Sequence, residues 1–180
     1  MMDDDAALLA LVARGDSGAL ARLYQAYAGR LFGYLLRLVG DRMVAEEILQ
    51  DTMLAVWRSA GGYAGASAVS TWLFAIARRQ AYYRLRGQAP PPPFEAVDRP
   101  DPAPGPEELA IAAAGGSPVA GAVGDLPDHQ RDVVALVFVA GLPLAEAAAV
   151  LGIPVGTVKS RLHHARAALA RTLATQEVPK

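Results

Sequence analysis

The sequence contains no cysteine, so it can form neither a disulfide framework nor a metal site built from thiolates. Histidine is scarce as well, with His129, His163 and His164 as its three occurrences. No HExxH segment, phosphate-binding loop or nucleophile motif accompanies them. We therefore expect no enzyme activity, no catalytic or metal-ligating residue and no cofactor.

Long hydrophobic runs are also missing. No stretch of about 18 uncharged apolar residues occurs, which argues against a membrane-spanning helix. The N-terminal segment MMDDDAALLALVARGD is acidic, and Arg14 interrupts its short apolar run, so it does not resemble a signal peptide. We expect a cytoplasmic protein that does not insert into a membrane.

The alternation typical of half-buried β-strands is absent, and apolar residues recur instead at steps of three and four. The segment 18–39 shows this spacing most fully, at Leu20, Leu23, Tyr24, Tyr27, Leu31, Tyr34, Leu35 and Leu38. Asp16-Ser17 before it and Gly40-Asp41 after it are typical of helix ends. The pattern predicts an all-α protein made of two small helical domains.

Proline marks the division between these domains. Residues 87–118 hold nine of the 13 prolines, and such a segment is extended and buries little apolar surface. We therefore predict a helical domain at residues 1–86, a flexible, acidic, proline-rich linker at 87–121 and a second helical domain at 122–175. A short helical turn is expected within the linker, at residues 107–114.

The net charge of -1 conceals an uneven distribution of charge. Segment 71–86 carries four arginines and no acid, and segment 155–171 carries Lys159 with three arginines and no acid. Segment 87–125 has six acidic residues against Arg99 alone. Because local charge governs contact with a polyanion, the two basic segments are candidate nucleic-acid-binding helices.

Residues 144–171 are typical of a helix-turn-helix, with a tight turn at Gly152-Ile153-Pro154. On the second helix, an apolar stripe from Val155 to Leu169 faces inward, and the opposite arc is polar and basic. An ordinary amphipathic surface helix is the alternative. The candidate DNA-binding residues are Thr157, Ser160, His163 and His164 on the outward arc, with Lys159, Arg161 and Arg166 at its edges.

The first basic segment predicts a helix that Ser70 caps and that ends at Arg86. Arg78, Arg79, Tyr82 and Arg86 are expected to project to one side of it. Interleaved aromatic and arginine side chains suit unstacked bases and the adjacent backbone. A solvated basic helix end is the alternative, since cations are favourable at a helix C-terminus.

Segment 42–57 predicts a helix with an unusual exposed face. Its apolar stripe is complete on one side, yet Leu54 and Trp57 lie among acidic residues on the other. Either this face contacts another protein, or a neighbouring helix of the same domain covers Leu54 and Trp57.

Three segments together resemble bacterial RNA polymerase sigma factors of the extracytoplasmic-function group. They are DRMVAEEILQDTMLAVW, STWLFAIARRQAYYRLR and LPDHQRDVVALVFVAGLPLAEAAAVLGIPVGTVKSRLHHARAALAR. The resemblance implies a sigma region 2 bundle followed by a region 4 helix-turn-helix. It also implies binding to core polymerase, recognition of the minus-10 and minus-35 promoter elements, and transcription initiation. A conventional helix-turn-helix regulator that does not bind polymerase is the alternative.

The resemblance also implies partners and residue roles. The partners are the clamp of the largest polymerase subunit, promoter DNA and an anti-sigma factor. The residues implied to bind polymerase are Glu47, Gln50, Asp51 and Leu54. The residues implied to bind the minus-10 element are Trp72, Arg78, Arg79, Tyr82, Arg84 and Arg86. A non-template base is implied to be captured at the loop 58–70. The helix from Val155 onward reads the minus-35 element. The family usually has Asn and Asp where Arg79 and Tyr83 stand, so its minus-10 preference does not carry over.

Overall fold

The computed structural model describes residues 2–87 and 118–176 of the chain. All regular secondary structure within these two ranges is helical, which confirms the predicted all-α class. The helices form two compact units. The turn expected at 107–114 and most of the expected linker lie outside the described residues. None of the described helices is long and apolar enough to cross a lipid bilayer.

The first unit contains four α-helices whose ends follow local sequence signals. They are α1 (Met2–Val12), α2 (Ser17–Val39), α3 (Arg42–Ser59) and α4 (Val69–Arg86), with a short 3-10 helix (Ala60–Gly62) after α3. Asp16 caps α2 by accepting the N–H of Ala19 at 3.0 Å, and Asp41 caps α3 by accepting the N–H of Val44 at 3.0 Å. Gly40 ends α2 with φ 73°, a left-handed conformation that glycine adopts without strain.

The core of the first unit lies where α2, α3 and α4 meet. At its centre the buried rings of Tyr34 and Phe74 pack edge to face, with centroids 5.5 Å apart. The predicted apolar stripe of α3 is buried, including Thr52, whose hydroxyl donates to the carbonyl of Ile48 at 2.7 Å. Tyr24 shares the helical spacing that is typical of core residues, but its side chain is 45% exposed.

The second unit begins inside the segment expected to be linker. Its helices are α5 (Pro118–Gly124), α6 (Asp128–Val134), α7 (Leu144–Leu151) and α8 (Val155–Gln176), and α6 continues as a π-helical segment (Ala135–Val139). Helix α5 starts at Pro118, ahead of residue 122, and the domain bounds 1–86, 87–121 and 122–175 remain a prediction. The π-helical segment ends at Ala140, whose N–H donates to the carbonyl of Ala135 at 2.9 Å.

The helix-turn-helix consists of α7 and α8. Gly152 ends α7 in a left-handed conformation, with φ 67°, and Ile153 is buried in the predicted turn. The carbonyl of Pro154 accepts the N–H groups of Thr157 and Val158, at 3.0 and 3.2 Å, and so starts α8. Three helices, α5, α6 and α7, contact α8. These contacts hold α8 in place while leaving part of its surface exposed.

Candidate nucleic-acid and protein interfaces

One side of α3 presents acidic and apolar groups together. Glu47, Gln50, Asp51 and Leu54, named here the α3 face, are all exposed, and Leu54 is 51% exposed. Trp57 is 36% exposed on the same side. The alternative in which a neighbouring helix covers Leu54 therefore does not hold within the described residues.

Met43 extends this face, although sequence reasoning did not single it out. Its side chain is 73% exposed, the highest value among the exposed large apolar residues of the described chain. Met43 precedes Gln50 by seven residues and Leu54 by eleven, which places all three on one side of the helix. Single exposed apolar residues are ordinary, but several on one side of one helix are typical of a surface that contacts another protein.

The start of α4 differs from the prediction. Ser70 does not cap the helix, because α4 already begins at Val69, after Ala68, which makes no side-chain cap bond. Beside this end, the ring of Trp72 packs edge to face on that of Tyr63, with centroids 5.6 Å apart. The hydroxyl of Tyr63 donates to the carbonyl of Ser67 at 2.5 Å. The loop before α4 is thus tied to the helix through these two rings.

Tyr82 does not project from α4 as predicted, since it is only 7% exposed. Its ring lies near the guanidinium carbons of Arg78 and Arg86, at 4.8 and 5.4 Å from the centroid. Helix α4 contacts α1, α2 and α3, so its buried arc is wider than the prediction of a projecting Tyr82 requires. The ring of Tyr82 therefore lies beside two arginines, and its burial leaves little of it accessible to a base.

The exposed side of α4 is basic and carries one exposed tyrosine. Arg79, Arg84 and Arg86 are exposed, while Trp72 and Arg78 are half-buried. The guanidinium carbon of Arg79 lies 5.6 Å from the ring centroid of Tyr83, which is 42% exposed. Sequence reasoning did not select Tyr83 as a site residue. Its position four residues after Arg79 was the available signal, because such residues share a helix face.

The structure keeps five of the seven candidate residues of α8 accessible. His164 and Arg166 are exposed, and Thr157, Lys159 and His163 are half-buried. The rings of His163 and His164 are neighbours, with centroids 5.8 Å apart and planes at 69°. The accessible surface of α8 thus offers two imidazoles and two cationic side chains.

Ser160 and Arg161 do not lie on the outward arc of α8 or at its edge, where the sequence placed them. They are only 2% and 7% exposed, so neither lies on an outward surface of α8. The sequence predicted one apolar stripe facing inward, but α8 contacts three other helices and is buried over a wider arc. The Nε of Arg161 makes no hydrogen bond, although the side chain has other interactions.

Comparison with known proteins bears on both units. The family model Sigma-70 region 2 matches residues 23–90, and the model Sigma-70, region 4 matches residues 119–169. The extracytoplasmic-function (ECF) RNA polymerase sigma factor RpoE of Cereibacter sphaeroides is 33% identical over 148 residues, covering 82% of each chain. The ECF RNA polymerase sigma factor SigM of Mycobacterium tuberculosis is 38% identical over 172 residues, covering 94% of this chain and 84% of its own.

The chain is an extracytoplasmic-function sigma factor of the sigma-70 family. This membership confirms the resemblance seen in the sequence, and it does not favour the conventional regulator. In this sigma factor, region 2 takes in α3, α4 and most of α2, and region 4 takes in α6, α7 and most of α5 and α8.

A solved structure supports the same assignment. CnrH, solved in complex with the cytosolic domain of CnrY, aligns with 97% of this sigma factor and 99% of its own chain. The TM-score is 0.73 and the sequence identity is 26%. The helical fold of this sigma factor is therefore found in an experimentally determined relative.

Proposed function

We propose that this sigma factor uses three surfaces in transcription initiation inside the cell. The α3 face binds the clamp of the largest subunit of core polymerase, the exposed side of α4 engages the minus-10 element, and α8 reads the minus-35 element. The observation that carries the proposal is the placement of an acidic, apolar face and an arginine-rich face on two neighbouring helices of region 2.

The polymerase assignment is supported by exposure and composition. Leu54 provides apolar area, while Glu47 and Asp51 provide charge at its edge. An apolar centre with a polar rim is the usual composition of a protein interface. Met43 and Trp57 enlarge the apolar part of this surface.

The minus-10 assignment is supported by charge. Helix α4 contains no acid, and four arginines lie in its last three turns. Arginine contacts the phosphates of either duplex or single-stranded DNA, which positions the strand without reading its sequence. Opening of the duplex is then favoured if the same surface also holds unpaired bases.

The minus-35 assignment rests on the accessible side of α8. Thr157, His163 and His164 carry hydrogen-bonding groups suited to base edges in the major groove. Lys159 and Arg166 are cations suited to phosphates. Ser160 and Arg161 leave this set, since their burial removes them from a groove surface.

An anti-sigma factor is the third partner that we propose. The structural relative CnrH was solved with the cytosolic domain of another protein, CnrY. A partner that covers exposed apolar groups such as Met43 and Leu54 removes them from water, which favours binding. A protein that covers the α3 face would compete with polymerase for it.

Run-off transcription with purified core polymerase tests the proposed function. Templates carry randomised minus-10 and minus-35 elements, each linked to its own barcode in the transcribed region, and the transcripts are sequenced with and without the protein. Enrichment of particular promoters only when the protein is present is the expected result. If the protein binds duplex DNA alone, fails to bind core polymerase and yields no promoter-specific transcript, the proposed use of the three surfaces is wrong.

A further inference from the structure

We propose that Val155 contacts the methyl group of one thymine in the minus-35 element and so contributes to sequence preference. The inference rests on the proposed minus-35 role of α8 and adds to it a residue that the sequence assigned to the inward apolar stripe. In the structure Val155 is 37% exposed, and it is the only exposed residue among the large apolar side chains described in the second unit. Its exposure and its surroundings on α8 carry the inference.

The first turn of α8 holds Val155 in a defined position. The carbonyl of Pro154 accepts the N–H groups of Thr157 and Val158, so Val155 already lies on a regular helix. Ile153 before it and Val158 after it are buried, whereas Val155 is not. A valine side chain is also stiff, because branching at Cβ restricts χ1 to few rotamers. Little side-chain entropy is therefore lost when its methyl groups meet a partner.

The surroundings of Val155 favour DNA over an apolar protein surface. Val155 precedes Lys159 by four residues and His163 by eight, so all three lie on one side of α8. Helix α8 contains no acidic residue, and the neighbouring cation suits a phosphate. Gly156 is exposed, and apart from its chain neighbours and the helix backbone nothing lies within 4 Å of the point where a Cβ atom would stand. A base edge can therefore approach the valine closely.

Thymine is the base that an aliphatic side chain can distinguish from the others. In the major groove thymine alone carries a methyl group, at C5, and apolar side chains contact it. Beside a valine, the amino and carbonyl groups of another base would lose water without gaining a hydrogen bond, which weakens binding. Val155 should therefore favour thymine at one position of the minus-35 element.

Removal of a single methyl group from the DNA tests this contact. Holoenzyme is assembled from core polymerase and the full chain, and selection from randomised upstream DNA identifies its preferred minus-35 element. Each thymine of that element, on either strand, is then replaced in turn by deoxyuridine, which lacks the methyl group but forms the same base pair. We expect one replacement to weaken binding by wild-type holoenzyme about fourfold, as the loss of one buried methyl group should.

Variants connect that thymine to Val155. Val155→Ala should bind the thymine-containing element about fourfold more weakly and lose nothing further when that base becomes deoxyuridine. Val155→Ile keeps a branched apolar group and should retain the wild-type ratio of the two affinities. Leu173→Ala is the matched control, because it removes apolar area from the same helix about 27 Å away along the axis, and it should leave that ratio unchanged.

The outcomes separate this contact from the proposed function. If wild-type holoenzyme prefers particular minus-35 sequences but binds every deoxyuridine probe as tightly as the thymine probe, the contact is overturned and the minus-35 role stands. The contact is also overturned if the losses from Val155→Ala and from each deoxyuridine simply add, or if the selected element has no thymine on either strand. If holoenzyme shows no minus-35 preference, the proposed function of α8 fails, and the contact fails with it.

Discussion

The guanidinium of Arg84 on α4 forms an ion pair with the carboxylate of Glu47 on α3. Both side chains are 50% exposed, and 37 residues separate them in sequence. The pair joins the helix proposed for promoter DNA to the face proposed for polymerase. Because it is solvated, it is weak enough for either residue to exchange its partner for a phosphate or a polymerase side chain.

This ion pair should contribute little to stability. Glu47→Ala and Arg84→Ala should each lower the free energy of unfolding by less than about 1 kcal/mol, because exposed pairs are screened by water and salt. A double-mutant cycle by urea denaturation measures their coupling. In binding assays the two variants should have different effects. Glu47→Ala should weaken binding to core polymerase, and Arg84→Ala should weaken binding to the promoter. Equal loss of polymerase binding in both would mean that the pair is needed to shape the α3 face.

Charge reversal on the α3 face should abolish polymerase binding. The double variant Gln50→Arg, Asp51→Arg places two cations on an exposed surface, so we expect loss of co-purification with core polymerase and unchanged helicity by circular dichroism. The matched control is Gln25→Arg with Asp125→Arg, which makes the same change in charge at two exposed positions outside the site. Undiminished co-purification of the first variant would remove this face from the polymerase interface.

Removal of two arginines from α4 should impair promoter opening. Arg78→Ala with Arg79→Ala should reduce the permanganate reactivity of thymines in the minus-10 element on duplex templates, since fewer cations hold the open strand. A smaller defect is expected on templates that are already unpaired there. Arg14→Ala with Arg22→Ala removes the same charge from another exposed surface and should have no effect. Unchanged footprints on duplex DNA would indicate a solvated helix end.

The accessible residues of α8 should have two kinds of role, contact with bases and contact with phosphates. His164→Ala should change which minus-35 sequences are preferred, by roughly 1–3 kcal/mol per lost contact. Arg166→Ala should weaken all sites alike and lower the salt slope by about one. Selection from randomised upstream DNA by holoenzyme, at two salt concentrations, measures both, with Thr175→Ala near the end of α8 as control. A changed preference in Arg166→Ala but not in His164→Ala would reverse the two roles.

Arg161 should behave as a structural residue. It is buried, so Arg161→Ala should lower the free energy of unfolding by about 1–3 kcal/mol, through lost packing and lost polar contacts. Ser160→Ala and Arg161→Ala should leave the preferred minus-35 sequence unchanged, because neither side chain reaches the groove. Thermal unfolding and the same DNA selection measure the two effects. A shift in preference with normal stability would place Arg161 at the DNA after all.

Several helix ends and the family membership were determined by the sequence alone. Asp16, Gly40, Asp41 and Gly152 act on backbone groups within a few residues of themselves, so their neighbours in sequence are enough to predict them. The buried stripe of α3 was equally predictable, because its spacing matches the helical repeat.

Only the tertiary structure decided which side chains face solvent at the edges of those stripes. Tyr82, Ser160 and Arg161 are buried and Tyr24 is exposed, because burial depends on how many helices pack around each one. The pairing of Glu47 with Arg84 joins two helices, so no pattern within either helix predicts it. The helical repeat describes one helix packed against one neighbour, whereas α4 and α8 each contact three helices. For that reason Tyr82 is buried, and Tyr83 is the exposed tyrosine of α4.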